Sequence, residues 1–136
     1  MSQIKILAVE DDPIYAESLE LIIKELGYEL VGIVDNALAA LQLVDETLPD
    51  LILMDIEIND SVSGIELAAR INSSRKIPII FVTAFRDKET FQQAKLTLPR
   101  GYIIKPYDPI SLQSAIELAI FSAPVQNAEA VHPQAL

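Results

Sequence analysis

Five short apolar runs divide the chain at regular intervals: IKILAV (4–9), YELVGIV (28–34), LILM (51–54), IPIIFV (77–82) and GYII (101–104). Each is too short to be a core helix, and the first is rich in β-branched residues, so each reads as a strand. Helical spacing fills the gaps. Asp12-Pro13 is a helix start, with Asp12 as N-cap; Ile14, Leu19, Ile22, Ile23 and Leu26 follow at helical spacing, and Gly27 is a plausible end. Asp35 or Asn36 caps a second helix carrying Leu38, Leu41, Leu43 and Val44, closed off by Pro49. A third helix runs through GIELAARI, a short fourth covers about 87–96, and Asp108-Pro109 starts a last one ending near Phe121.

Strands alternating with helices require a parallel sheet whose crossovers cover both faces. Right-handed crossovers leave few topologies, and five short strands suit a doubly wound (βα)5 sheet of the flavodoxin-like order 2-1-3-4-5. Residues 1–121 are therefore expected to form one domain. From Ser122 the chain loses periodicity and carries two prolines, so 122–136 reads as a flexible tail.

Composition removes several function classes. The 136 residues include no cysteine, and the single histidine is His132, in the tail. Disulfides, thiolate chemistry and histidine-centred catalysis are therefore not expected. No apolar run reaches membrane-spanning length and no secretion signal is visible, which predicts a soluble, cytoplasmic protein. A net charge of −10 argues against nucleic-acid binding. That charge is uneven: fourteen acids face one base between Glu10 and Asp60, and eight bases face two acids between Arg70 and Lys105.

In such a sheet the functional crevice lies beyond the carboxyl ends of the strands. There the sequence puts Glu10, Asp11 and Asp12 after the first strand, Asp55 after the third, Thr83 after the fourth and Lys105 after the fifth. Glu10, Asp11, Asp55 and Lys105 together leave two negative charges uncompensated, which a divalent cation would balance. An all-oxygen ligand set favours Mg²⁺ or Mn²⁺. A carboxylate beside such a cation and a lysine can act as a nucleophile toward phosphorus, giving an acyl phosphate.

On the motifs ILAVEDDP (6–13), LILMDIEI (51–58), FVTA (81–84) and GYIIKPY (101–107), the chain resembles the receiver domain of two-component response regulators over residues 4–121. The resemblance implies a switch rather than an enzyme, catalysing only its own phosphorylation and slow dephosphorylation. It makes Asp55 the phosphoacceptor, with Asp11 ligating the metal, Glu10 acting mainly through water and Glu57 contributing its backbone carbonyl. Thr83 and Lys105 would bind the phosphoryl group, and Lys105-Pro106 would be cis. Tyr102 would be the switch aromatic, given room by Ala84. A histidine kinase or phosphotransfer protein would be the donor, docking on the acidic first helix through Glu17, Glu20 and Glu25. The face around the fourth helix, fifth strand and last helix would meet an output protein or a second copy. Bulky Phe85 would shield the acyl phosphate. The loop 59–64 lacks the proline often found there in the family, which leaves its shape open.

Two other readings fit less well. A phosphatase of the haloacid-dehalogenase type places its aspartate after the first strand and needs a cap insertion. A flavin carrier needs a Ser/Thr/Gly-rich phosphate loop where this chain has EDDP.

Overall fold

The computed structural model describes residues 3–122. The expected strand–helix alternation is present: β1 (Lys5–Val9), α1 (Pro13–Glu25), β2 (Glu29–Val34), α2 (Ala37–Thr47), β3 (Leu51–Met54), α3 (Gly64–Ser74), β4 (Ile79–Thr83), α4 (Lys88–Lys95), β5 (Gly101–Ile104) and α5 (Pro109–Phe121). All strand pairs are parallel, in the order β2-β1-β3-β4-β5. This is the doubly wound, flavodoxin-like arrangement. The tail expected from 122 onward lies, beyond Ser122 itself, outside the described residues.

Strand alternation sorts the core into two layers. Leu7, Val9, Ile52, Met54, Ile79 and Phe81 point to one face, against Ala40 and Val44 of α2, Leu67 and Ile71 of α3, and Ala94 of α4. Ile6, Ala8, Leu51, Leu53, Ile80 and Val82 point to the other, against Leu19 and Ile23 of α1 and Leu112 and Ile116 of α5. A strand covered on both faces needs an unbroken apolar run, which is why LILM shows no polar alternation.

Helix boundaries follow their capping chemistry. Asp12, Asn36, Ser63, Asp87 and Asp108 each accept a backbone N–H of the first turn, at α1 to α5 respectively. At the end of α1, Leu26 is the C-cap, and Gly27 follows it at φ +84°. Gly27 N–H reaches Lys24 O and Tyr28 N–H reaches Ile23 O, a Schellman closure that favours glycine. Strand boundaries differ from expectation by one or two residues: β1 and β2 each begin one residue later, and β4 runs Ile79–Thr83, beginning two residues after Ile77. Pro78 has no N–H to give a ladder, although its carbonyl already accepts from Ile52 N.

Candidate functional site

The sheet's own hydrogen bonds carry the charged residues to a common edge. Glu10 N donates to Val34 O, Asp55 N to Val9 O and Lys105 N to Thr83 O, at 2.8, 2.9 and 2.8 Å. Backbone pairing thus continues one residue past β1, β3 and β5 and fixes where each side chain emerges. These are also the buried polar residues of the described chain: Glu10 is 3% exposed, Asp55 5%, Thr83 0% and Lys105 8%.

Lys105 Nζ lies 2.9 Å from Asp55 Oδ2 and 2.9 Å from Glu10 Oε2. Glu10 Oε2 also accepts from Asp12 N at 3.1 Å, and Asp55 Oδ1 accepts from Glu57 N at 3.1 Å. Glu10 Oε1 is different. It stands 2.8 Å from the ammonium nitrogen but receives no directed hydrogen bond, although it is buried. Asp11 is exposed, yet ligand-capable oxygens of Glu10, Asp11 and Asp55 lie within 4.8 Å of one another.

Burial raises Glu10 to about 7, helped by the charge of Asp55 and opposed by the hydrogen bonds from Lys105 and Asp12. Burial alone would push Lys105 down, but its hydrogen bonds and charge contacts with Glu10 and Asp55 outweigh this and raise it. The site therefore holds more negative charge than one ammonium can satisfy, in surroundings that penalise charge. An orphaned buried oxygen, three converging carboxylates and no softer donor suit a small oxygen-seeking cation.

A cleft of about 330 Å³ opens onto this cluster, lined among others by Asp11, Tyr15, Asp55, Glu57, Ala84 and Lys105. Thr83 stands at the end of β4, where its Oγ1 accepts from Phe85 N at 3.2 Å. Tyr102 Oη donates to Phe85 O at 3.0 Å, while its ring packs edge-on against Phe91 at 5.1 Å between centroids. Phe85 itself lines the adjoining groove between the β3–α3 loop and α4. Asp12 caps α1, accepting from Ile14 N at 2.9 Å. Lys105-Pro106 is cis.

Two contacts were not anticipated from the sequence. Lys105 Nζ sits 4.3 Å from the Tyr15 ring centroid, and Arg86 Nη2 donates to Lys105 O at 3.2 Å. Tyr15 lies in the first turn of α1, just after the EDDP acids in sequence, and that placement is the signal that would have found the first. Arg86 offers no comparable pattern.

A parallel (βα)5 sheet with acids beyond β1 and β3 and a lysine beyond β5 defines a class of signalling domain, and comparison with known proteins agrees. Residues 6–117 match the response regulator receiver domain, and the chain belongs to that family. It is 33% identical to the transcriptional regulatory protein PdtaR of Mycobacterium tuberculosis over 116 residues, covering 85% of this chain and 56% of that protein. The chain thus spans about half the length of that curated relative. It is also similar to the signal receiver domain of a modulated diguanylate cyclase from Desulfovibrio desulfuricans G20, with 36% identity and a TM-score of 0.85, covering 92% of this chain and 99% of that one. The receiver domain of the sensor histidine kinase PA1611 of Pseudomonas aeruginosa, solved with magnesium coordinated in its active-site cleft, is 26% identical with a TM-score of 0.79, covering 89% and 100%. The chain is therefore a receiver domain of two-component signalling. Among the described residues no helix is long and apolar enough to cross a membrane.

Proposed function

We propose that residues 1–121 act as a phosphorylation-dependent switch in the cytoplasm, with Asp55 as phosphoacceptor and a histidine kinase or phosphotransfer protein as donor. The observation that carries this reading is the shared ammonium: Lys105 Nζ contacts both Asp55 and Glu10, with Asp11 alongside. An Asp55 carboxylate oxygen attacks the donor phosphorus, the P–N bond breaks, and its electron pair stays on the imidazole nitrogen. Mg²⁺ held by Glu10, Asp11, Asp55 and the Glu57 carbonyl would neutralise charge on the transferred oxygens. Lys105 then exchanges a carboxylate partner for a phosphoryl oxygen without moving far. Water attack on the acyl phosphate returns the free carboxylate and inorganic phosphate, and the bulk of Phe85, two residues past Thr83, is expected to slow that attack.

Switching follows from the chain of contacts beyond Thr83. Its hydroxyl can donate to the new phosphoryl group while Oγ1 still accepts from Phe85 N. Drawing Thr83 inward pulls Ala84 and Phe85 with it, and the Tyr102 hydroxyl then loses the Phe85 carbonyl. A charge-assisted hydrogen bond is worth roughly 1.5–3 kcal/mol, and about 1.4 kcal/mol changes a population tenfold. The surface of α4, β5 and α5 is thereby coupled to Asp55 and is the candidate contact for an output protein or a second copy.

The test is uptake of phosphate from acetyl phosphate with Mg²⁺, read on a phosphate-affinity gel for the wild type and Asp55→Asn. The wild type is expected to shift and the variant not to. A wild type that takes up nothing overturns the reading. Following decay of the phosphorylated species in Phe85→Ala tests the shielding, which predicts faster loss.

A further inference from the structure

We infer that Tyr15 is a positioning residue for Lys105, its ring face holding the ammonium where it can meet a phosphoryl group at Asp55; this rests on the receiver reading above. A lysine ammonium has three N–H donors. Two directions in this site are taken by Glu10 and Asp55. The Tyr15 ring lies 4.3 Å from Nζ and supplies a third partner of negative character.

The ring is itself braced. Tyr15 belongs to the first turn of α1, directly after the Asp12 cap and Pro13, where the helix start is fixed. Tyr107 packs against it, centroids 5.7 Å apart with the planes tilted by 44°. Tyr107 follows the cis Lys105-Pro106 bond, so the two tyrosines link α1 to the segment that carries the lysine.

The ring also changes what Lys105 can exchange with. A solvated lysine loses bound water before pairing with an incoming anion, whereas this one is buried and has an aromatic face in place of solvent. A ring face attracts a cation but forms no directed bond that must be broken, so the ammonium can swing from carboxylate to phosphoryl oxygen over a fixed surface. The ring's electrons do this, and the hydroxyl is not required.

Electron density at position 15 can be varied at nearly constant shape. Tyr15→Phe, Tyr15→Leu and a series of fluorinated phenylalanines at that position are compared by the rate of phosphoryl uptake from phosphoramidate in Mg²⁺. Tyr15→Phe is expected to stay within about twofold of wild type and Tyr15→Leu to fall about tenfold, with the fluorinated rings graded between by their cation affinity. A leucine variant as fast as wild type, or a fluorinated series with no gradient, overturns the inference. So does a phenylalanine variant as slow as leucine, which would move the role to the hydroxyl. The ring-current shift of the Lys105 ε-methylene protons, present in wild type and Tyr15→Phe and lost in Tyr15→Leu, reads the contact without phosphorylation. Its absence in wild type overturns the placement. A wild type that shows the shift but takes up no phosphoryl group overturns the receiver reading, and with it the role of Tyr15 in uptake.

Discussion

Lys105 sits between two carboxylates that would otherwise repel each other. Glu10, Asp55 and Lys105 are all almost fully buried, and the ammonium contacts both acids within 3 Å. Removing one member of a buried ionic group leaves the others unpaired, at a cost of roughly 3–5 kcal/mol. Lys105→Met is therefore expected to lower unfolding free energy in urea by about 3 kcal/mol in metal-free buffer, more than any exposed lysine change. Lys24→Met breaks only an exposed pair with Glu20 and serves as the control, expected to cost less than about 1 kcal/mol. Equal losses in the two variants would show that the buried triad contributes nothing special. The identities of these three residues were legible in the sequence because each follows an apolar run directly. Their mutual contacts were not, because no local pattern reports which oxygen meets which nitrogen.

At the scale of elements, the beginnings of helices were easier to read than their ends. Four of the five caps stand at positions the sequence marked or bracketed: Asp12 and Asp108 before prolines, Asn36, and Asp87. The ends of α2 and α4 are less transparent. Leu48, the C-cap of α2, and Leu98, two residues past the Leu96 C-cap of α4, adopt φ of 50° and 58°, each exposed and each followed by proline. Pro49 bars α2 from continuing, whereas α4 has ended before Pro99, and in neither place does the leucine itself announce the left-handed turn. The acidic caps predict a pH dependence. Asp87 and Asp108 are held below their usual value of 3.8 by the side-chain and backbone hydrogen bonds of Thr90 and Ser111 respectively. Their contribution to stability is present above pH 3.8 and is lost as pH falls through the lower folded-state values. Asn keeps the capping oxygen but does not titrate, so the double variant Asp87→Asn/Asp108→Asn should show a shallower loss of stability below pH 3.8 in acid titrations followed by circular dichroism. An unchanged slope would place the acid sensitivity elsewhere. Gly64 makes a second element-level demand. It opens α3 with its N–H on Ile56 O, and a Cβ there would lie 2.0 Å from Asp55 O, far inside contact distance. Gly64→Ala must push α3 away from the Asp55 backbone, with an expected cost of about 1–3 kcal/mol and slower phosphoryl uptake. Destabilisation with unimpaired uptake would show that the shift does not reach the carboxylate.

The whole molecule was the most legible level, since alternating periodicities admit few sheets and the observed order is the one those rules favour. What the order accomplishes is to set β1 between β2 and β3, bringing Glu10 and Asp11 beside Asp55 across 45 and 44 residues of chain. The β3–α3 loop, whose shape the sequence left open, is tied down across the same edge: Asp60 accepts from Ala37 N at the start of α2. The acids are thus held together by the fold, not by attraction to one another, and the folded state carries their repulsion. Any cation that binds this cluster in the folded chain and not in the unfolded one must stabilise the whole domain, by about 2.7 kcal/mol at a hundredfold excess over its dissociation constant. Asp11 separates this effect from packing. It is exposed, unlike Glu10 and Asp55, yet its carboxylate belongs to the same cluster. Asp11→Asn removes one of the repelling charges without opening a cavity, so it is expected to melt above the wild type in EDTA and to gain much less than the wild type when Mg²⁺ is added. A wild type indifferent to Mg²⁺, or an Asn variant that keeps the full rise, would mean that the repulsion built into this edge is relieved by something other than the metal. Lys105 alone would then have to carry the balance.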